Sequence, residues 1–430
     1  MTNEEKYEEL KNNGSFCLAP WVHIHSLPNG NVQPCCIWDY QVHRNNPERF
    51  GNINTFSSIE KLMNGDEFKE LRKKFLNGEK EDGCTRCYDR SLHSPADTDS
   101  SIRTWMNRFF KSDDIIDNVL DTNLDGSVNE FKIRYLDIRF GNICNLKCRM
   151  CGHSLSSSWY EEQIEIYGPK GVDKGEGKFI HSDCFDKILP YLPYVTEIYF
   201  AGGEPMLYPE HLKILDKLIE IGNTDLSIKY NTNLTSLTYK KRNIIDVLKE
   251  FKHVYIGASI DDMGSVVEYI RTGLNWEKFK INFETIKRDA PHITIHASPT
   301  IGILNIESYI EFHSFCLKNN WLNPHSMLNY ISVPEEMNIR SMPMFYKEQM
   351  VELYQTYIET LTNDFPNIST RALEEIVIRL KVECDDKTVD IQMKKLYNKL
   401  NTFDNTAKLD WKKSLPNVAA MLSTYFGKAL

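Results

Sequence analysis

The stretch that decides the fold is residues 140–151, FGNICNLKCRMC, in which Cys144, Cys148 and Cys151 are spaced as CxxxCxxC. The stretch follows an apolar, strand-like run, so we expect the three thiols on a short loop at the carboxyl end of a strand. Electron carriers and structural zinc sites use four ligands, whereas three ligands leave one metal position open to a substrate or cofactor. The loop therefore predicts an open metal site. The alternative is a zinc site completed by a distant ligand such as His153, although zinc signatures normally contain two CxxC pairs.

Strand-like and helix-like segments alternate from about residue 131 to 330, with the loop after the first strand. The strand-like segments are 133–140, 195–200, 226–230, 254–259, 293–298 and 327–331, and the helix-like segments between them are 155–166, 209–221, 237–251, 276–288 and 306–319. Such alternation predicts a parallel sheet wrapped by helices, and hence an α/β fold in the form of a partial (β/α)6 barrel. Barrels of this kind carry their chemistry at the carboxyl ends of the strands, where the cysteine loop lies.

The rest of the chain predicts two further parts and a linker. We expect a small cysteine-rich α+β domain at 1–92, a linker at 93–130, the barrel core at 131–334 and a helical C-terminal extension at 335–430. Within the extension, helices are expected near 345–360, 371–382, 391–400 and 415–426. No chemical motif occurs there, so its expected role is to cap the open side of the barrel or to contact a partner.

Composition narrows the class of protein. A chain of 430 residues with 41% hydrophobic residues predicts two or three compact units. No segment reaches the roughly 18 apolar residues that a membrane span needs, which favours a cytoplasmic protein without membrane association. The net charge of -9 indicates no general surface for nucleic acid. The chain has eleven cysteines, and eight of them cluster in the sequence, which in a reducing compartment indicates metal binding rather than disulfides.

The cysteine loop resembles that of the radical S-adenosylmethionine (radical SAM) superfamily. In that family an aromatic residue usually precedes the third cysteine and contacts adenine, whereas this chain has Met150, whose thioether can still pack against a purine. The resemblance continues at the end of the second strand, where Gly202, Gly203, Glu204 and Pro205 match the GGEP element of the family. It implies that the glycines allow a close approach to S-adenosylmethionine and that Glu204 accepts hydrogen bonds from its amino group.

The ends of the third and fourth strands extend the resemblance. Asn231 and Asn233 end the third strand, Ser259 and Asp261 end the fourth, and Arg271 follows ten residues later. The resemblance implies that the asparagine and serine side chains bind the ribose. It also implies that Arg271 pairs with the methionine carboxylate, which suits its planar fork. Ordinary capping of strand ends is the alternative for Asn233 and Asp261.

The N-terminal cysteines supply enough thiols for a second, closed site. They are Cys17, Cys35 or Cys36, Cys84 and Cys87. Their order resembles the auxiliary iron-sulfur domains called SPASM and twitch, which commonly follow the barrel, whereas here the unit precedes it. The resemblance implies Cys35 as the ligand, because it matches the cysteine after the turn and proline of that family, with Cys36 in reserve. A four-cysteine zinc site is the alternative, because both metals accept four thiolates.

The resemblance also implies a function. It implies two [4Fe–4S] clusters and reductive cleavage of S-adenosylmethionine to a 5'-deoxyadenosyl radical, which takes hydrogen from a substrate. The expected substrate is a peptide or protein that becomes modified, and the expected reductant is a flavodoxin or ferredoxin. A small-molecule alcohol or sugar dehydrogenase is the alternative enzyme. A metal-stabilised binding or electron-transfer scaffold is the alternative of another class, and the sequence identifies no further catalytic residue.

Overall fold

The structure is a computed structural model that describes residues 1–39, 45–93, 101–168, 184–322, 328–365 and 367–429. Its strands are β1 His23–Ser26, β2 Val32–Gln33, β3 Tyr135–Ile138, β4 Lys147–Cys148, β5 Glu197–Phe200, β6 Ser227–Thr232, β7 Thr238–Tyr239, β8 Arg242–Asn243, β9 His253–Ala258, β10 Arg271–Thr272, β11 Thr294–Ala297, β12 Thr300–Ile301 and β13 Asn329–Tyr330. Its helices are α1 Asn3–Asn12, α2 Ala19–Val22, α3 Ile59–Met63, α4 Asp66–Leu76, α5 Thr85–His93, α6 Ile102–Phe109, α7 Asp113–Leu120, α8 Tyr160–Tyr167, α9 Cys184–Ile188, α10 Pro209–Glu220, α11 Ile244–Leu248, α12 Gly264–Ile270, α13 Trp276–Asp289, α14 Tyr309–Lys318, α15 Met344–Asp364, α16 Arg371–Leu380, α17 Asp386–Ala407, α18 Trp411–Ser414 and α19 Pro416–Phe426.

Five of the six predicted strands form one sheet with the strand order β11-β9-β6-β5-β3-β1-β2. β3, β5 and β6 run parallel, with Leu136 opposite Ile198 and Ile198 opposite Ile228. The predicted α/β class, with a parallel sheet and a helical C-terminal part, is therefore confirmed, and β11 and β2 are the outermost strands. The sixth predicted strand corresponds to β13, which pairs with β12 outside the main sheet, and its predicted start at 327 lies outside the described residues.

The N-terminal strand β1 joins the main sheet. It pairs in parallel with β3, and the register sets His25 opposite Asp137. The two side chains form a buried pair, with 2.8 Å between His25 Nδ1 and Asp137 Oδ2. The cysteine-bearing N-terminal segment is thus built onto the same sheet as the first predicted barrel strand.

The chain forms two compact units. The first comprises Met1–Ile143, Lys178–Tyr230 and Thr238–Tyr255, and the second comprises Cys144–Gly177, Asn231–Leu237 and Ile256–Leu430. Each has a core of its own, because each buries large apolar side chains away from water. The fully buried aromatic residues include Trp21, Tyr208 and Tyr230 in the first unit, and Trp159, Trp321 and Trp411 in the second.

One predicted helix is wrong in its first half. The segment 237–251 starts as the hairpin of β7 and β8, whose turn contains Lys240 at a φ of 54°. Only α11 is helical there, and the Asn243 side chain caps it by accepting a hydrogen bond from the Ile245 N–H. The predicted C-terminal helices are confirmed as α15, α16, α17 and α19. None of the described helices is both long enough and apolar enough to cross a membrane.

Candidate cluster and cofactor site

The loop that carries the three central cysteines lies in the second unit and is fixed by side chains that follow it. Ser158 Oγ donates to the Cys144 carbonyl at 2.6 Å, Ser156 Oγ donates to the Leu146 carbonyl at 2.7 Å, and Trp159 Nε1 donates to the Cys148 carbonyl at 3.0 Å. These hydrogen bonds satisfy backbone carbonyls of the loop and hold its conformation. Sequence reasoning missed these residues, although the run SSSW at 156–159 is a visible cluster of donors.

The three thiols are electrostatic neighbours. A hydrogen bond between Cys148 and Cys151 raises the pKa of the Cys148 thiol and lowers the pKa of Cys151, which also interacts with Cys144. The thiolate is the form of cysteine that binds a metal, and a lowered pKa favours it. The described residues contain no group of three or more His, Cys, Asp or Glu side chains preassembled to hold a metal ion. The fit to an iron-sulfur cluster thus rests on the chemistry of the three thiols, which are the ligands such clusters use, and the assignment of the three ligands stays a prediction.

Arg271 is bound to Asp261 through its planar fork. Arg271 Nε lies 2.8 Å from Asp261 Oδ2, and Nη2 lies 2.8 Å from Oδ1. β10 pairs with β4 so that Arg271 lies opposite Cys148, and Arg271 Nη1 is 3.9 Å from the Cys148 sulfur. Burial alone would lower the pKa of Arg271, but Asp261 and Cys148 outweigh it and the pKa is raised. Arg271 is therefore a fixed cation beside the cysteine loop, and its predicted bond to the methionine carboxylate stays a prediction.

Asn233 lies at the cysteine loop as well. Its Nδ2 is 2.9 Å from Asn145 Oδ1 and 3.9 Å from the Cys144 sulfur, while its Oδ1 accepts hydrogen bonds from the backbone and side chain of Thr235. Asn233 thus connects the end of β6 to the residue after Cys144. Both ends of the Asn233 amide are therefore hydrogen-bonded within the protein. Its predicted contact with ribose stays a prediction.

Three further predicted cofactor residues belong to the second unit. Met150 and Ser259 are half-buried, whereas Asn231 is exposed on β6. The Ser259 N–H donates to the Thr232 carbonyl at 2.7 Å, which links the ends of β9 and β6. Their predicted roles at adenine and ribose stay predictions.

The predicted GGEP element lies in the first unit, directly after β5. Gly203 has a φ of +57°, and a Cβ there would lie 2.4 Å from the Ile143 carbonyl oxygen, so only glycine fits. Glu204 is buried, and its Oε1 accepts a hydrogen bond from the Met206 N–H at 3.2 Å, ahead of a short turn that begins at Pro205. The close approach that Gly203 makes is therefore with the protein's own backbone, and the approach of the glycines to S-adenosylmethionine stays a prediction. Binding of the cofactor by Gly202, Gly203, Glu204 and Pro205 stays a prediction.

The N-terminal cysteines are also neighbours within the first unit. Burial raises the pKa of the Cys35 thiol well above its usual value, with further contributions from Cys36, Cys84, Cys87 and Cys17. Burial likewise raises the pKa of Cys17 to about 12. Buried thiols that destabilise one another's charge gain stability when a metal neutralises them, so this set fits a closed cluster. The identity of its ligands stays a prediction.

A close packing contact brings the loop after Cys35 onto the turn that carries Cys84. Trp38 covers Gly83, where an added Cβ would lie 2.3 Å from the indole ring. The Asp39 N–H donates to the Gly83 carbonyl at 3.0 Å. Because a side chain at 83 would push the indole away, this glycine is needed for the approach of the two cysteine-bearing segments.

Cys36 has different surroundings from Cys35. Burial raises the pKa of the Cys36 thiol to about 12, and the largest charge effects on it come from Asp137 and Arg139 rather than from the other thiols. We therefore expect Cys35→Ala to lose the auxiliary cluster, about four irons per chain, and Cys36→Ala to keep it. Iron and sulfide content of the two variants, purified without oxygen, checks this. Loss of iron from Cys36→Ala alone would make Cys36 the ligand.

Comparison with known families gives two matches. Residues 138–316 match the family model of the radical SAM superfamily. Residues 17–88 match that of the iron-sulfur cluster-binding domain SPASM. No curated protein matches the chain.

Solved structures show low similarity. The structure titled native anSMEcpe with bound AdoMet and Cp18Cys peptide is 14% identical, with 52% of this chain and 59% of that chain covered and a TM-score of 0.37. The crystal structure of Streptococcus suis SuiB is 16% identical, with 79% of this chain and 74% of that chain covered and a TM-score of 0.38. The chain thus spans less than two thirds of the length of the anSMEcpe chain.

Proposed function

We propose, from the radical SAM domain and the preceding SPASM domain that this chain carries, that it cleaves S-adenosylmethionine reductively and uses the product to take a hydrogen atom from a peptide or protein. The observation that carries the proposal is the set of donors around the central cysteines. Arg271 Nη1 and Asn233 Nδ2 each lie 3.9 Å from a cysteine sulfur, on Cys148 and Cys144 respectively. N–H donors aimed at sulfur stabilise negative charge there, which a ligand thiolate requires.

Five residues of the second unit have stated roles in this proposal. Cys144, Cys148 and Cys151 hold the central cluster, which together with S-adenosylmethionine supplies one-electron cleavage to a 5'-deoxyadenosyl radical. Arg271, fixed by Asp261, keeps a positive charge next to Cys148. Because the Arg271–Asp261 pair is buried, its geometry is set before any ligand binds.

Residues of the first unit have proposed roles as well. Cys17, Cys35, Cys84 and Cys87 are proposed to hold the auxiliary cluster, and Glu204 is proposed to accept hydrogen bonds from the amino group of S-adenosylmethionine. A flavodoxin or ferredoxin is the proposed reductant. The peptide or protein substrate is proposed from the combination of the two domains in one chain.

Formation of 5'-deoxyadenosine tests the function. Protein purified without oxygen and loaded with iron and sulfide is mixed with S-adenosylmethionine and dithionite, and the product is measured by chromatography. We expect 5'-deoxyadenosine from the wild type and none without reductant. Iron-loaded protein that forms none would refute the proposal. A peptide substrate is expected to increase the yield and to change in mass, whereas an increase with alcohols or sugars alone would contradict the peptide part.

A further inference from the structure

Arg149, between Cys148 and the predicted adenine contact Met150, is enclosed by protein. It is 1% exposed, and its guanidinium carbon lies 4.4 Å from the ring centre of Tyr269 and 5.3 Å from that of Phe403. Its backbone N–H donates to the Ile270 carbonyl at 2.8 Å. The aromatic rings attract the cation, so Arg149 anchors the middle of the cysteine loop against α12 and α17.

The charge partner of Arg149 comes from the C-terminal extension. Asp404 on α17 is 7% exposed, and its Oδ1 lies 4.0 Å from Arg149 Nη2. The same Oδ1 accepts a hydrogen bond from the Tyr269 hydroxyl at 2.8 Å, and Oδ2 accepts one from the Trp411 N–H. Because Arg149 Nη2 has no hydrogen-bond partner within the described part of the chain, the Asp404 carboxylate compensates its buried charge.

Tyr269 connects this pair to the donors at the central cysteines. It precedes Arg271 by two residues, and its carbonyl accepts a hydrogen bond from Arg149 Nε at 3.3 Å. Arg271 lies opposite Cys148 in the β4–β10 pair. A shift of Arg149 or Tyr269 therefore moves the two strands that set the distance between Arg271 and Cys148.

We propose that Asp404 is a positioning residue for the central cluster. It acts through Arg149 and Tyr269, and it gives the C-terminal extension a part in the cluster site. This inference rests on the function proposed above, because it takes the group held by the three cysteines to be an iron-sulfur cluster. The structural basis is the buried contact set of Arg149, Tyr269 and Asp404 itself.

The test compares Asp404→Asn with Asp390→Asn. Both residues lie on α17 and undergo the same chemical change, but Asp390 forms a largely exposed pair with Lys394 at 2.7 Å. Loss of a residue that orients a metal ligand typically costs about 10- to 100-fold in metal affinity, so we expect Asp404→Asn to lose central iron to a chelator about 10- to 100-fold more readily than the wild type. We also expect a changed EPR spectrum of the reduced protein with S-adenosylmethionine. Asp390→Asn is expected to match the wild type in both measurements.

Two further variants separate positioning from general folding. Tyr269→Phe keeps the ring on Arg149 and removes only the hydroxyl that donates to Asp404, so a smaller change in the same direction is expected. Asp404→Glu keeps the charge and is expected to restore part of the iron retention. The inference is overturned if Tyr269→Phe and Asp404→Asn both retain iron and the EPR spectrum like Asp390→Asn. A wild type without a spectral response to S-adenosylmethionine would refute the proposed function instead.

Discussion

Replacement of Cys144, Cys148 and Cys151 together by alanine is expected to lower the iron content from about eight to about four per chain, and to abolish formation of 5'-deoxyadenosine. The three thiols are the predicted ligands of the central cluster. The N-terminal cysteines lie in the other unit and are expected to keep the auxiliary cluster. Iron, sulfide and zinc analysis of protein purified without oxygen measures the loss, and chromatography measures the product.

A matched control is available within the chain. Cys316 is fully buried on α14 and belongs to neither group of clustered cysteines, so Cys316→Ala is expected to keep about eight irons. If the triple variant loses all iron and holds zinc at the N-terminal site, the proposed radical SAM function stands, but the proposed auxiliary iron-sulfur cluster is refuted. Zinc in both sites and no iron would contradict the radical SAM function and leave a metal-stabilised scaffold.

Much of the fold follows from local signals in the sequence. The predicted strands of the main sheet recur as β3, β5, β6, β9 and β11. β3 and β5 are buried along most of their length, and β6 buries every second residue, and both patterns are typical of strands. The segment 237–251 was predicted less well, since its apolar spacing suits a helix while Lys240 takes a left-handed turn. Short hairpins depend on such single backbone conformations, which periodicity does not record.

Contacts between distant segments are the part that local patterns omit. The cysteine spacing indicates the central site, but the pairing of His25 with Asp137 depends on the register of β1 against β3. Asp404 lies about 250 residues from Arg149, and nothing in the helical pattern of α17 distinguishes it from the half-buried Asp390 on the same helix. Side chains that support the cysteine loop from afar therefore emerge only from the tertiary structure.

Replacement of Arg271 by methionine is expected to destabilise the fold by about 3–5 kcal/mol and to abolish cleavage of S-adenosylmethionine. The stability loss arises because Asp261 is 0% exposed and keeps a buried carboxylate without its bidentate partner. The loss of activity arises because the cation beside the Cys148 sulfur is removed. Urea unfolding of the metal-free protein measures the first effect, and 5'-deoxyadenosine formation by iron-loaded protein measures the second.

Two comparisons separate these effects. Arg242 also makes a bidentate pair, through Nη1 and Nη2, with Asp216 at 2.6 and 2.5 Å, but both side chains are 46% exposed. Arg242→Met is therefore expected to cost no more than about 1 kcal/mol and to leave activity unchanged. In the double variant Arg271→Met with Asp261→Leu no buried charge is left unpaired, so stability is expected to recover in part while activity stays lost. Recovery of activity in the double variant would mean that Arg271 only neutralises Asp261. If Arg271→Met lost no more stability than Arg242→Met, the expected cost of breaking the buried Arg271–Asp261 pair would be wrong.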